Sequence, residues 1–161
     1  MILDERTEFA DNVSVAASAG TAQIGDIIDM EVVRNIGGGQ PIYLVIRTGG
    51  TEIITGGSAG TLTFQVASNS AATLAADGTD TVHAQTDALV TDGTDANAAQ
   101  LKVGAQILSI ALPGEGVPYE RYLGILAVTA STTTTAGTVN AFLTLDPSNS
   151  STNKAFADAT N

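Results

Sequence analysis

An all-β fold, a jelly-roll-like antiparallel β-sandwich of about seven to eight strands with little helix, is what this sequence predicts. Three observations carry that expectation. Thr, Gly, Ala and Ser are plentiful while Glu, Lys, Arg and Gln are scarce, a bias toward strands and tight connections rather than long helices. The apolar residues recur in short alternating runs separated by Gly, Pro and Asp. Several connections are long and glycine-containing, which suits a Greek-key path better than a simple meander. At 161 residues the chain reads as one domain, 1–161. Its hydrophobic fraction is 43% but its aromatic fraction only 4%, so the core must be built mainly from Ile, Leu, Val and Ala.

Taken in order, residues 1–12 form a polar arm around the lone aromatic Phe9, either a short helical turn or an extended segment. Asn12 to Thr21 is a weak, small-residue strand or loop. Ile24 to Val33 is a strand kinked at Gly25, interrupted by Asp26 and Asp29. Gly37, Gly38 and Gly39 break the chain before Pro41, and Ile42 to Thr48 then alternates, with Leu44 and Ile46 on one face and Val45 and Arg47 on the other. After the glycine-rich Thr55 to Gly60, Leu62, Phe64 and Val66 alternate with Thr61, Thr63 and Gln65, a strand with one buried and one solvated face. Ser68 to Gln100 is polar; it holds a strand near Thr81 to Thr86 and a short helix over Asp95 to Leu101. Ala105 to Leu112 is a buried strand ended by Pro113 and Gly114. Tyr119 to Asp146 reads as a long antiparallel hairpin, with the polar Ser131 to Thr135 and Gly137 between its strands. In its first strand Leu123, Ile125 and Ala127 share one face and Tyr122, Leu126 and Val128 the other. Two apolar faces imply a central strand covered on both sides, or one that reaches a subunit interface and makes a homodimer. The tail, 147–161, is a loosely held cap.

The net charge is −11, and six scattered cations are all that oppose it. Nucleic-acid binding needs clustered cations against phosphates, and an anionic membrane surface needs the same, so neither is an expected partner. A basic protein partner fits better. The chain contains no cysteine, which excludes disulfides and thiolate metal sites. No apolar run approaches the roughly 20 residues of a membrane span. The opening MILDERTEFADN is not a secretory signal, so synthesis in the cytoplasm is expected.

His83 is the only histidine, which leaves no multi-histidine metal centre, and no GxSxG elbow accompanies it. It reads as a strand-surface residue. The tetrad DGTD occurs at Asp77 to Asp80 and at Asp92 to Asp95. Asp–Gly is a leading turn signal, and the terminal Glu of a calcium-binding EF-hand loop is missing. No catalytic residue, cofactor or metal is therefore expected. Interface candidates are Phe9, the only aromatic of the arm; Tyr119, Arg121 and Tyr122 in PYERY, since Tyr and Arg are enriched at hot spots; and Thr133 and Thr134 at a polar tip.

Several segments, in order along nearly the whole chain, give it a likeness to a known family: MILDERTEFADNVSV, IGDIIDM, GQPIYLVI, EIITGGSAGT before TFQVAS, LPGEGVPYERYLGILAVT and AGTVNAFLTLDP. The chain resembles the capsid cement, or decoration, proteins of tailed bacteriophages, in particular the family typified by the Bordetella podophage cement protein. That resemblance implies a dimerising jelly roll, made in the host cytoplasm and seated on the outer surface of the virion's icosahedral capsid. There it would bridge copies of a major capsid protein of the HK97-like fold and touch no DNA. It implies no catalytic residue. The alternative is a carbohydrate-binding or adhesin-type β-module, which usually needs aromatic platforms; here only Tyr43, Tyr119 and Tyr122 stand in for them, with no Trp. A small hydrolase or isomerase built around His83 is the third possibility.

Overall fold

The computed structural model describes residues 5–32, 36, 39–55, 60–74, 77–90, 99–114 and 116–147. These contain eleven strands: β1 (Glu8–Ser14), β2 (Gly20–Asp29), β3 (Tyr43–Thr48), β4 (Ile54–Thr55), β5 (Thr61–Asn69), β6 (Thr81–Gln85), β7 (Leu89–Val90), β8 (Gln106–Ala111), β9 (Tyr122–Ala130), β10 (Thr134–Ala136) and β11 (Thr138–Thr144). Eight of them have five residues or more, the number the hydrophobic runs predict. The other three, β4, β7 and β10, are too short to carry a periodic signal. Among the described residues the helical elements are the short 3-10 turns at Glu5–Thr7 and Ala99–Leu101. The start of the helix expected over Asp95 to Leu101, the second DGTD, Gly37 and Gly38 and the tail beyond Pro147 lie outside the described residues.

The strands form two facing sheets, β1-β11-β3-β8 and β2-β9-β5-β6, with β7 also paired to β5; β10 and β4 make a small ribbon. Renumbered along the chain, the eight long strands run 1-8-3-6 in one sheet and 2-7-4-5 in the other, the jelly-roll arrangement. Only β5 and β6 are consecutive long strands that also pair side by side. Every other connection between long strands crosses from one sheet to the other.

That path corrects the hairpin expected over Tyr119 to Asp146. β9 pairs with β2 and β5, while β11 pairs with β1 and β3, so the two are the inner strands of opposite sheets. An arch that crosses the sandwich and a hairpin have the same local pattern, and the pattern cannot separate them. The polar segment between them is no free tip either. β10 pairs with β4, and Thr134 also exchanges two backbone hydrogen bonds with Ala17, at 2.9 and 3.0 Å.

The facing assignments hold residue by residue. Leu44, Ile46, Val139 and Ala141 from one sheet meet Ile24, Leu62, Phe64, Val66, Leu123, Ile125 and Ala127 from the other in one aliphatic core. The opposite face of β9 is covered by the chain itself. Leu126 packs with Ala67, Leu74 and Ile27, and Gly124 leaves the space that Leu74 fills: a Cβ there would lie 2.7 Å from Leu74 Cδ1. The doubly apolar β9 is thus a central strand, between β2 and β5, with apolar packing from the chain itself on both faces.

Two further expectations change. The described part of the arm, 5–12, makes a 3-10 turn at Glu5–Thr7, as one of its two expected forms, but from Glu8 onward it is the edge strand β1, and Phe9 is 1% exposed within the core. β8 is not a buried strand but the other edge of that sheet, and its residues are half-buried or exposed. The edges of the two sheets close on each other at Gly25. Its φ is +64°, a β-bulge interrupts β2 there, and the β1 backbone at Phe9 lies against it.

Candidate interaction surface

His83 is where chemistry would be sought first. β6 has a bulge: Val66 lies opposite Ala84 and Ala67 opposite Val82, so His83 is the extra residue. Bulges re-aim side chains. This one turns His83 toward Tyr119, whose ring stacks on the imidazole with centroids 3.9 Å apart, and toward Ser68, whose Oγ is 2.7 Å from Nε2. Glu120 N–H donates to Ser68 Oγ at 3.0 Å, and Thr81 Oγ1 donates to Glu120 Oε1 at 3.0 Å. Tyr119 Oη donates to the Pro113 carbonyl at 2.9 Å. His83 is therefore no plain strand-surface residue.

A hydroxyl hydrogen-bonded to an imidazole has the spacing of a nucleophile and its base. However, Ser68 is 0% exposed and its oxygen already accepts the Glu120 N–H. A nucleophile must reach a substrate, so this geometry is that of a clamp. It ties the segment linking β8 to β9 onto β5 and β6. Burial pushes the His83 pKa down, partly offset by the charge of Glu120, and burial raises that of Tyr119 to about 12.

A pH dependence follows. Below its unfolded value near 6.5, His83 takes a proton more readily unfolded than folded. Its contribution to stability is thus complete above that value and is lost as pH falls through the lower folded value. The urea midpoint should drop between pH 7 and pH 5, and His83→Gln should remove part of that drop. An equal drop in the variant would show that His83 is not responsible. Asp29 and Asp77 titrate lower: their hydrogen bonds hold both below the ordinary carboxylate value, Asp29 at about 2. Their contribution is lost only as pH falls from about 4 toward those folded values.

The six contact candidates separate into two groups. Phe9, Tyr119 and Thr134 are each 1% exposed, so their side chains belong to the interior and cannot be contacts. Arg121, Tyr122 and Thr133 are exposed or half-buried. Arg121 is already engaged: Nε and Nη2 donate to the two oxygens of Asp29 at 2.8 and 2.7 Å, and its guanidinium lies 4.9 Å from the centre of the Tyr122 ring. Arg121 thus forms a surface ion pair with Asp29, at the end of β2. Thr133 follows the far end of β9, about 25 Å from Arg121 at 3.3 Å per strand residue, so the structure does not join these positions in one patch.

Asp77 to Asp80 behaves as a turn. Asp77 Oδ1 accepts from Thr79 N at 3.1 Å and from Thr79 Oγ1 at 2.8 Å, and Gly78 has φ +83°. Sequence reasoning missed two features. Asn12, at φ 51° in the β1 bulge, accepts from Gly50 N and Thr138 Oγ1 at 2.8 and 2.7 Å and locks β1 to the turn after β3. β8 leaves a strand edge without charge, and its only sequence signal was the absence of charge in QILSIA, which a buried strand shares.

No curated protein matches the chain. A family model named Bbp16, a Bordetella phage protein family, matches residues 9–143, the span from β1 to β11. Because that match takes in both sheets of the sandwich and most of the sequence, the chain belongs to the Bbp16 family of phage proteins.

Proposed function

We propose that this chain is a capsid cement protein: a non-enzymatic structural protein that binds the outside of a phage head and bridges copies of an HK97-like major capsid protein. Membership of the Bbp16 family over the whole sandwich is the observation that carries the reading. The fold is compatible with it. Two sheets packed on an aliphatic core make a rigid scaffold, and many modest contacts repeated over a shell add up through multivalency. The charge of −11 would steer the protein toward basic patches on the shell and away from DNA. The carbohydrate-binding alternative gains no support from the tyrosines, since Tyr119 is buried and Tyr122 lies beside Arg121.

Heads of the encoding phage that lack this protein provide the test. Purified protein should co-sediment with them saturably and raise their tolerance to heat. Failure to bind across a range of salt concentrations would overturn the proposal.

A further inference from the structure

Six cations oppose the acids of this chain, and two of them, Arg47 and Lys102, converge on one turn. Arg47 projects from β3 on the face turned away from the core, because Leu44 and Ile46 fill the other face. Its Nη2 donates to the Gly104 carbonyl at 3.0 Å. Its Nε is buried and has no hydrogen-bond partner among the described residues. No carboxylate among them pairs with it, whereas Arg121 holds Asp29 and Lys102 reaches Glu52 at 3.5 Å. Burial lowers the Arg47 pKa, and no neighbouring charge offsets that. Two neutral side chains flank it in register. Asn140 on β11 and Gln106 on β8 are its direct cross-strand neighbours, so the three form one row on the outer face. The Asn140 side-chain oxygen accepts from Asn12 N–H, which leaves its amide NH2 as the group to offer. Glu8 shares this face, but on β1, two strands from β3 and about 10 Å away at the usual strand spacing. Beside the row, the turn that carries Lys102 is pinned to β3. Gly104 N–H donates to the Thr48 carbonyl at 3.0 Å, Thr48 N–H to the Ala105 carbonyl at 2.9 Å, and Thr48 Oγ1 to the Gln100 carbonyl at 2.6 Å. Next to Gly104 this rigid turn holds Val103 out, 55% exposed.

We infer that the Asn140–Arg47–Gln106 row is a carboxylate-binding site, which takes an Asp or Glu side chain from an acidic segment of a protein partner, with Lys102 at its rim. The guanidinium is a planar fork that matches the two oxygens of a carboxylate, and the flanking amides can donate to the same oxygens. Val103 supplies apolar area beside the charge pair and shields it from water, as the surroundings of an interface hot spot do. A nucleic acid is the wrong occupant: a polyanion would meet a chain of −11 and needs more clustered cations than two. One carboxylate presented by a protein surface meets far less repulsion. The row and the chain as a whole have opposite signs, so the row selects an acid where the rest of the surface favours bases. That difference fixes the orientation of docking, which a uniform charge could not do.

The inference rests on the cement reading, which puts the acidic segment on the shell. Heads of the encoding phage that lack this protein are therefore the probe, titrated with the full chain and its variants. Arg47→Gln should bind at least about 10-fold more weakly than the unaltered chain, the scale expected when one member of a desolvated ion pair is removed. Gln106→Glu should weaken binding as well, because it sets a carboxylate of the chain itself beside Arg47. Gln106 is exposed, so this second variant keeps the question open to test should Arg47→Gln fail to fold. Both changes make the net charge more negative by one. Gln85→Glu makes the same change on β6 of the other sheet, keeps the oxygen that accepts from Gln65, and should bind as the unaltered chain does. Undiminished binding by Arg47→Gln or Gln106→Glu would overturn the inference and leave the cement reading standing. An equal loss in Gln85→Glu would also overturn it, because bulk charge would then be the cause. Heads that do not take up the unaltered chain would overturn the cement reading and the inference together.

Discussion

Gly25→Ala should destabilise the sandwich by at least about 4 kcal/mol, beyond the range of ordinary point changes. A Cβ at Gly25 would lie 1.9 Å from the carbonyl oxygen of Phe9, which is backbone and cannot rotate away. The φ of +64° adds a further penalty for any side chain, about 1–3 kcal/mol for a non-glycine held in a sparsely populated region. Relief requires β1 to move off β2, and that opens the edge where the two sheets meet and unseats Phe9. Gly78→Ala is the internal control. Its φ is +83°, but nothing lies within 4 Å of the added carbon, so it carries the conformational penalty alone. Urea unfolding of the two variants separates close approach from backbone strain. Similar, small losses in both would show that the β1–β2 contact is not tight.

Phe64→Ala comes next. Phe64 has no exposed surface and projects from β5 into the centre of the core. Aromatic residues are few, so the aliphatic neighbours Leu62, Val66 and Ala127 cannot refill the space. Truncating a buried phenylalanine costs about 3–5 kcal/mol. In a chain of this length that should lower Tm by roughly 6–20 °C. The Phe64 carbonyl accepts from Thr86 N–H at 2.9 Å and the Phe64 N–H donates to Thr86 Oγ1 at 3.0 Å; neither bond involves the ring and both should survive, so β5 should stay in register while the melting temperature falls. A change of less than about 1 kcal/mol would mean that the two sheets do not press together at this point.

What could be read from the sequence was local. Alternation placed Leu62, Phe64 and Val66 inward, assigned both faces of β9 and put a kink at Gly25, because side-chain period and glycine conformation depend on neighbouring residues. Partner choice did not follow. β9 and β11 carry the same signals whether they pair with each other or lie in opposite sheets, and in a jelly roll nearly every connection crosses. Phe9 looked like a contact because its neighbours are polar, yet alternate residues of an edge strand face opposite ways and its own side faces the core. The Ser68–His83 clamp joins residues 15 apart through a bulge, which no periodicity announces. The candidate contact residues were the least legible. Half of them are interior, and the edge strand β8 read as a buried strand, because an uncharged run fits either position.

Electron cryomicroscopy of heads from the encoding phage, with and without this gene, tests the central claim most directly. The account predicts density fitting this two-sheet sandwich on the outer shell, in contact with the major capsid protein and missing from the deletion. Density inside the shell, on a tail fibre, or unchanged by the deletion would contradict it.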